Sequence, residues 1–299
     1  MTNFQSSVNK SELMASYSKH PPYNFSSLEN EVDRSFEKLL TYIKNKKIIT
    51  SSLSTFINKA LVFSIITNEI SREKKKGDTP QSAAMRSIKS FKKFLATNGN
   101  IMPIGSRDQY LSIGPFQFKK EIYEKIAAKY GGVIEPKFEN AKLSDHIIAF
   151  YLLASDNLKI FERLFLSKSK KLTKMLEKAD QKSKQRFIVV LISSMHNAGY
   201  DNILKVLGEG LGDVQKYKVS TYPDRKPHPE GYWDIDIKSI NDKTLDLVVS
   251  KMIHHSRLQK AGKITGPYME MLDALYEKYT EIFKGRNTFV GALLIKRNK

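Results

Sequence analysis

The chain has 299 residues, 40% of them hydrophobic, enough for one large packed domain or two ordinary ones. Lys and Arg number 50 against 31 Asp and Glu, a formal net charge of +19, which favours a polyanionic partner; nucleic acid, an anionic membrane and a bacterial cell wall all fit, as does plain solubility. The absence of cysteine excludes a disulfide framework, a thiolate nucleophile and a cysteine-based zinc site.

The opening stretch MTNFQSSVNKSELMASYSKHPPYNF lacks the apolar core of a secretory leader, and no segment approaches the ~18 apolar residues that span a bilayer. Residues 1–28, rich in Ser, Asn and Lys and interrupted by Pro21 and Pro22, read as a flexible tail. From Asp33 onward Phe36, Leu39, Leu40 and Ile43 recur at helical spacing, and Leu53 to Ile70 predicts a second helix, apolar on most faces and therefore central. Ala84, Ile88, Phe91 and Leu95 form one stripe of an amphipathic helix whose other faces carry Arg86, Lys89, Lys92 and Lys93. After the loop SIGPFQF, the residues Ile122, Tyr123, Ile126, Ala127 and Tyr130 predict a helix stopped by Gly131-Gly132. Two helical runs follow, Asp145 to Ala154 and Leu158 to Leu166. The Lys/Ser-rich SKSKKLTK separates them from the strongly apolar RFIVVLISSMHNAGY and a weaker helix ending at GEGLGD. KVSTYPDRKPHPEGYWDI, with three prolines, reads as a long loop, and helices near Leu245 to Ile253 and Tyr268 to Phe283 close the chain. Period-two patterning is nearly absent, so the expected fold is mainly α.

Three pieces stand out against this helical background: a Glu ending a buried helix (TNEIS), a Gly-Pro-Phe-Gln loop (SIGPFQF), and Asn-Ala-Gly ending a later buried helix (SSMHNAGY). Their order and character resemble the lytic transglycosylase and goose-type lysozyme superfamily. There, a catalytic Glu with a Ser close behind is followed by a Ser-x-Gly-Leu-Met-Gln loop, a Tyr-Leu pair on a helix, and Tyr-Asn-Ala-Gly. The matching residues here are Glu69 with Ser71, Ser112 to Gln117, Tyr151-Leu152, and His196-Asn197-Ala198-Gly199, spanning about half of the chain. Pro115-Phe116 replaces Leu-Met, His196 stands in the place of Tyr, and Ile70 separates Glu69 from Ser71.

The resemblance implies a lysozyme-like helical domain over residues 29–212, with a helical C-terminal extension over 213–299 that either stands apart or packs on the same domain. It also implies cleavage of the β-1,4 bond between N-acetylmuramic acid and N-acetylglucosamine in peptidoglycan, without a cofactor or metal. Glu69 would be general acid and then base; Ser112, Gly114, Phe116, Gln117, Tyr151, His196, Asn197 and Tyr200 would shape the glycan cleft. A carboxylic acid delivers a proton near neutral pH only where its neutral form is favoured, and both partial desolvation and the C-terminal end of an apolar helix do this. No second carboxylate is required: the substrate's acetamido group assists departure and its own 6-hydroxyl attacks, giving a 1,6-anhydro product. If Glu73 or Asp108 positions a water instead, hydrolysis results. Several residues have a structural alternative: Gln117 as a loop brace, Phe116 and Tyr151 as core, Asn197 as a backbone anchor and Gly199 as a helix cap.

Other patterns carry less. His254-His255 lacks the His-Glu-x-x-His spacing of a zinc site, and GEGLGD follows no strand and has the wrong glycine spacing for a dinucleotide, so it reads as a turn. Tyr232-Trp233 either extends the cleft or packs. Wall cleavage without a leader suggests synthesis in the cytoplasm and a phage lysin, a virion-associated enzyme or a delivered effector. The rival reading is a noncatalytic basic helical protein binding nucleic acid through REKKKGDTP, the Arg86 to Lys93 face and SKSKKLTK. An inactive lysozyme-like structural virion protein is a third.

Overall fold

The computed structural model describes residues 23–71, 77–98, 101, 112–217, 232–255, 258 and 265–287. These include ten α-helices and one two-stranded antiparallel hairpin, a mainly α fold. In chain order the helices are α1 (Phe25–Asn45), α2 (Lys59–Ile70), α3 (Pro80–Asn98), α4 (Lys120–Lys129), α5 (Leu143–Leu164), α6 (Lys170–Lys178), α7 (Gln181–Ala198), α8 (Tyr200–Leu211), α9 (Thr244–Ile253) and α10 (Thr265–Ile282). Strands β1 (Ser112–Ile113) and β2 (Phe118–Lys119) lie between α3 and α4. Among the described residues no helix is long and apolar enough to cross a membrane.

Local chemistry moves several expected boundaries. α1 starts at Phe25, ahead of the expected tail boundary at residue 28, because Asn24 and Ser27 cap each other's backbone amides at 2.8 and 2.7 Å. The expected helix from Leu53 is two pieces: Ser52–Phe56 is a single 3-10 turn, and α2 begins only after Asn58, whose side chain accepts from the Leu61 amide at 2.9 Å. The two runs expected from Asp145 onward are one continuous α5. SKSKKLTK, expected only to separate helices, runs into one of its own: Lys170–Lys178 forms α6 and buries Leu172 and Met175. GEGLGD is not a turn but the last turn of α8 and its left-handed cap, Gly212. Its glycines admit large neighbours: a Cβ on Gly208 would fall 2.0 Å from Tyr217 Cβ, and one on Gly210 would fall 2.2 Å from the Trp233 ring.

Two helices are buried all round. Every residue of α2 from Lys59 to Asn68 is buried, and so is every residue of α7 from Phe187 to Met195. Continuous apolar sequence of this kind can only sit inside. Lys59 is the charged residue among them, and its ammonium is held by Asp33 at 2.7 Å and Glu29 at 3.1 Å from α1. α10 packs along α2, α3 and α7, so the C-terminal region belongs to the same buried cluster, which runs from Leu28 to Phe283. The Tyr276 hydroxyl on α10 accepts from Asn58 Nδ2 at 2.8 Å and from Gln185 Nε2, tying the beginnings of α2 and α7 together. Eleven residues further along each helix, 58 to 69 and 185 to 196, stand Glu69 and His196. At 1.5 Å per residue both spans are about 16 Å. Both buried helices pack on α10, and with equal spans from the shared Tyr276 to Glu69 and His196 they run in the same sense and end together.

Candidate active site

Glu69 occupies the last turn of α2 and His196 the last turn of α7. Glu69 Oε1 lies 4.0 Å from His196 Nε2, and the two side chains retain 13% and 10% of their exposure. His196 Nε2 also lies 2.9 Å from the Phe116 carbonyl oxygen. A carbonyl can only accept, so Nε2 carries the ring hydrogen and donates it. Burial pushes the His196 imidazole down from its ordinary 6.5 to about 4, against a smaller upward pull from the bond to Phe116. At neutral pH His196 is uncharged, so its contact with Glu69 is not an ion pair.

The hairpin brings the third component. β1 and β2 pair with Ser112 opposite Lys119 and Ile113 opposite Phe118. Gly114-Pro115-Phe116-Gln117 makes the turn, with Pro115 at the position that suits its fixed φ and the Gln117 amide donating to Gly114 O at 3.1 Å. Gln117 itself has φ +49, a left-handed conformation that costs a non-glycine residue roughly 1–2 kcal/mol. Its side chain offsets part of that, since Nε2 donates to the same Gly114 oxygen at 2.9 Å. Gln117 Nε2 is thus a brace for the turn, the structural alternative of the two readings. Gly114 has φ +82, and a Cβ there would fall 2.9 Å from His146 Cε1. The close approach that Gly114 permits is to this buried imidazole rather than to a saccharide.

Two expected cleft residues are core residues. The Phe116 ring is fully buried and stacks on Phe150 at 4.8 Å and 10°, so only its carbonyl serves the site. Tyr151 is 1% exposed, packs edge-on against Phe36 of α1 and bonds Ser54; burial pushes its phenol well up. The reason is angular. Neighbouring helix residues differ by about 100°, and α5 turns His146 and Phe150, one turn apart, toward the hairpin while Tyr151 faces α1. His146 stacks on Phe118 at 6.2 Å and 14°, and Phe118 and Phe150 each present a face or edge to His196 at 5.9 and 5.7 Å, near perpendicular. His146, Phe118 and Phe150 were not singled out from sequence; the four-residue spacing of His146 and Phe150 was the available signal.

The remaining expected residues lie at the surface of this cluster. Ser112 is half-buried in β1, Asn197 is exposed at the end of α7, and Tyr200, the first residue of α8, is 39% exposed. Gly199 links the two helices at φ +80 and its amide caps α7 by bonding Met195 O at 2.9 Å. Glu73, Asp108 and the lysines of REKKKGDTP lie outside the described residues, as do residues 218–231 of the Pro-rich loop. Trp233 packs on Gly210 and Tyr232 takes the Lys171 ammonium at 2.9 Å, both at the far end of α8 from Tyr200. Of the basic face on α3, Arg86 forms a bidentate pair with Asp78 at 2.7 and 2.6 Å, and Lys92 lies over the Phe25 ring at 4.7 Å. His255 is 1% exposed against Trp233.

No family model, no curated protein and no solved structure matches this chain.

Proposed function

We propose that this protein cleaves the β-1,4 bond between N-acetylmuramic acid and N-acetylglucosamine in peptidoglycan, with Glu69 as general acid and then general base. The observation that carries the reading is the meeting of Glu69, His196 and the Gly114–Gln117 turn at the common end of two buried helices. Two helix C-termini direct partial negative charge at this point. That field favours a carboxyl group that still holds its proton, and it favours the positive charge that builds on the anomeric carbon as the bond breaks. An uncharged His196 suits the same role, because an imidazolium at this distance would hold Glu69 as a carboxylate before substrate arrived.

The reaction then runs on this chain's own groups and the glycan. Glu69 protonates the leaving oxygen while the acetamido group assists departure, and the resulting carboxylate takes a proton from the attacking hydroxyl. Attack by the sugar's 6-hydroxyl gives an anhydro end; attack by water gives a reducing end. In this reading half-buried Ser112 and Gln117 and exposed Asn197 and Tyr200 would meet the glycan, and the charge of +19 suits an anionic wall.

Digestion of purified peptidoglycan followed by mass spectrometry tests this. Glu69→Gln is expected to cut about 10²–10⁴-fold more slowly than wild type, the usual worth of a general acid. Equal digestion by both proteins removes Glu69 from the chemistry, and anhydro against reducing ends identifies the attacking group.

A further inference from the structure

His196 has one ring hydrogen and two oxygens within reach of it. The Phe116 carbonyl holds that hydrogen at 2.9 Å, while Glu69 Oε1 lies 4.0 Å from the same nitrogen, beyond hydrogen-bond distance. We infer that His196 is a positioning residue for the glycosidase reaction proposed above, sharing its Nε2 hydrogen with the Glu69 carboxylate only as Glu69 gives up its proton. The inference rests on that reading of Glu69.

The geometry explains why the sharing is confined to the charged state. The imidazole packs near perpendicular to Phe118 at 84° and to Phe150 at 82°, and His146 stacks on Phe118, so its plane and the direction of its N–H are set by packing. The Phe116 carbonyl cannot drift either, because its ring is locked against Phe150. A shift of about 1 Å in the Glu69 side chain closes the gap. A neutral carboxyl group gains little from such a move. A carboxylate gains a charge-assisted hydrogen bond in a site largely closed to water. The interaction is therefore stronger in the transition state than in the resting enzyme, the condition under which binding energy speeds a reaction.

The proton ledger closes on the groups present. The Glu69 proton passes to the glycosidic oxygen as the anomeric carbon–oxygen bond breaks; the carboxylate later takes a proton from the hydroxyl that forms the new bond to that carbon. His196 keeps its hydrogen throughout and changes only how that hydrogen is shared. Burial keeps the ring neutral, so it does not ionise Glu69 in advance.

Two measurements on the full chain test this. Long-range proton–nitrogen NMR of wild type is expected to show His196 as the neutral Nε2–H tautomer at pH 7 and still at pH 5; an Nδ1–H tautomer or an imidazolium at pH 7 overturns the inference whether or not any variant folds. In peptidoglycan digestion, His196→Phe, which keeps a flat ring without a donor, is expected to lower kcat about a hundredfold with KM nearly unchanged. It should also move the alkaline limb of the kcat profile to higher pH. His196→Gln, a neutral donor, should recover most of the rate. Equal losses in the two variants that follow their losses of melting temperature, or no loss in either, overturn the role of His196 alone. A wild type that cuts no wall preparation removes the glycosidase reading and this role with it.

Discussion

At their beginnings α2 and α7 are joined through one hydroxyl: Tyr276 accepts from both Asn58 and Gln185, and the buried donors are satisfied. At their ends the same helices bring Glu69 and His196 to 4.0 Å, a separation that makes no hydrogen bond, while His196 spends its donor on the hairpin turn. One end of the pair is closed by a bond that serves stability. The other is held just short of a bond. A buried hydrogen bond contributes roughly 0.5–1.5 kcal/mol; in the proposed reaction the one between His196 and Glu69 would form only as Glu69 changes protonation state.

The contrast can be broken at either end. The largest effect on stability should come from Gly114→Ala, which forces a Cβ into the His146 ring at φ +82. A loss of about 3 kcal/mol is expected by urea denaturation, combining the left-handed strain with overpacking. Acid should act next, and through His196. Above pH 6.5 its imidazole is neutral whether the chain is folded or not, and it contributes nothing. As pH falls from 6.5 toward 4 the unfolded chain takes up a proton that the folded site refuses, so stability declines and levels off below about 4. The gap between 6.5 and about 4 corresponds to about 3 kcal/mol. His196→Phe should lack this part of the decline, read as the difference between the two proteins' stability curves over pH 7 to 4.

At the other end, Tyr276→Phe leaves Asn58 and Gln185 without their shared acceptor, and a loss of about 2 kcal/mol is expected, with the digestion rate per folded molecule unchanged. A rate that falls along with stability would mean that the two ends are not separable. The smallest effect should be that of Gln117→Gly, because glycine relieves the positive φ while the side-chain bond to Gly114 O is lost. Stability within about 1 kcal/mol of wild type is expected by the same titration.

The helices that carry this contrast were legible in sequence because ALVFSIIT and FIVVLISSM are apolar apart from small hydroxyl residues, and such runs have nowhere to go but inside. Their pairing was not. The tie at Tyr276 joins residues 218 positions apart in the chain, and no local pattern marks it. The loop SIGPFQF was visible as a turn, yet its flanking strands, two residues each, are too short to show alternation. HIIAFYLL is apolar on every face, so periodicity offered no ground for choosing Phe150 and His146 over Tyr151 as the residues facing the hairpin. SKSKKLTK shows no helical stripe of its own because it holds only Leu172 of the two buried residues of α6, the other being Met175 just beyond it. Likewise nothing local shows that Lys59 is buried; its partners Glu29 and Asp33 lie a helix away.

The most direct measurement is a crystal structure of Glu69→Gln with a short glycan of alternating N-acetylmuramic acid and N-acetylglucosamine. The account predicts the glycan across the meeting point of α2, α7 and the hairpin, with the residue-69 amide about 3 Å from a glycosidic oxygen. A glycan bound elsewhere on the chain, or with residue 69 out of reach of every glycosidic oxygen, would contradict it.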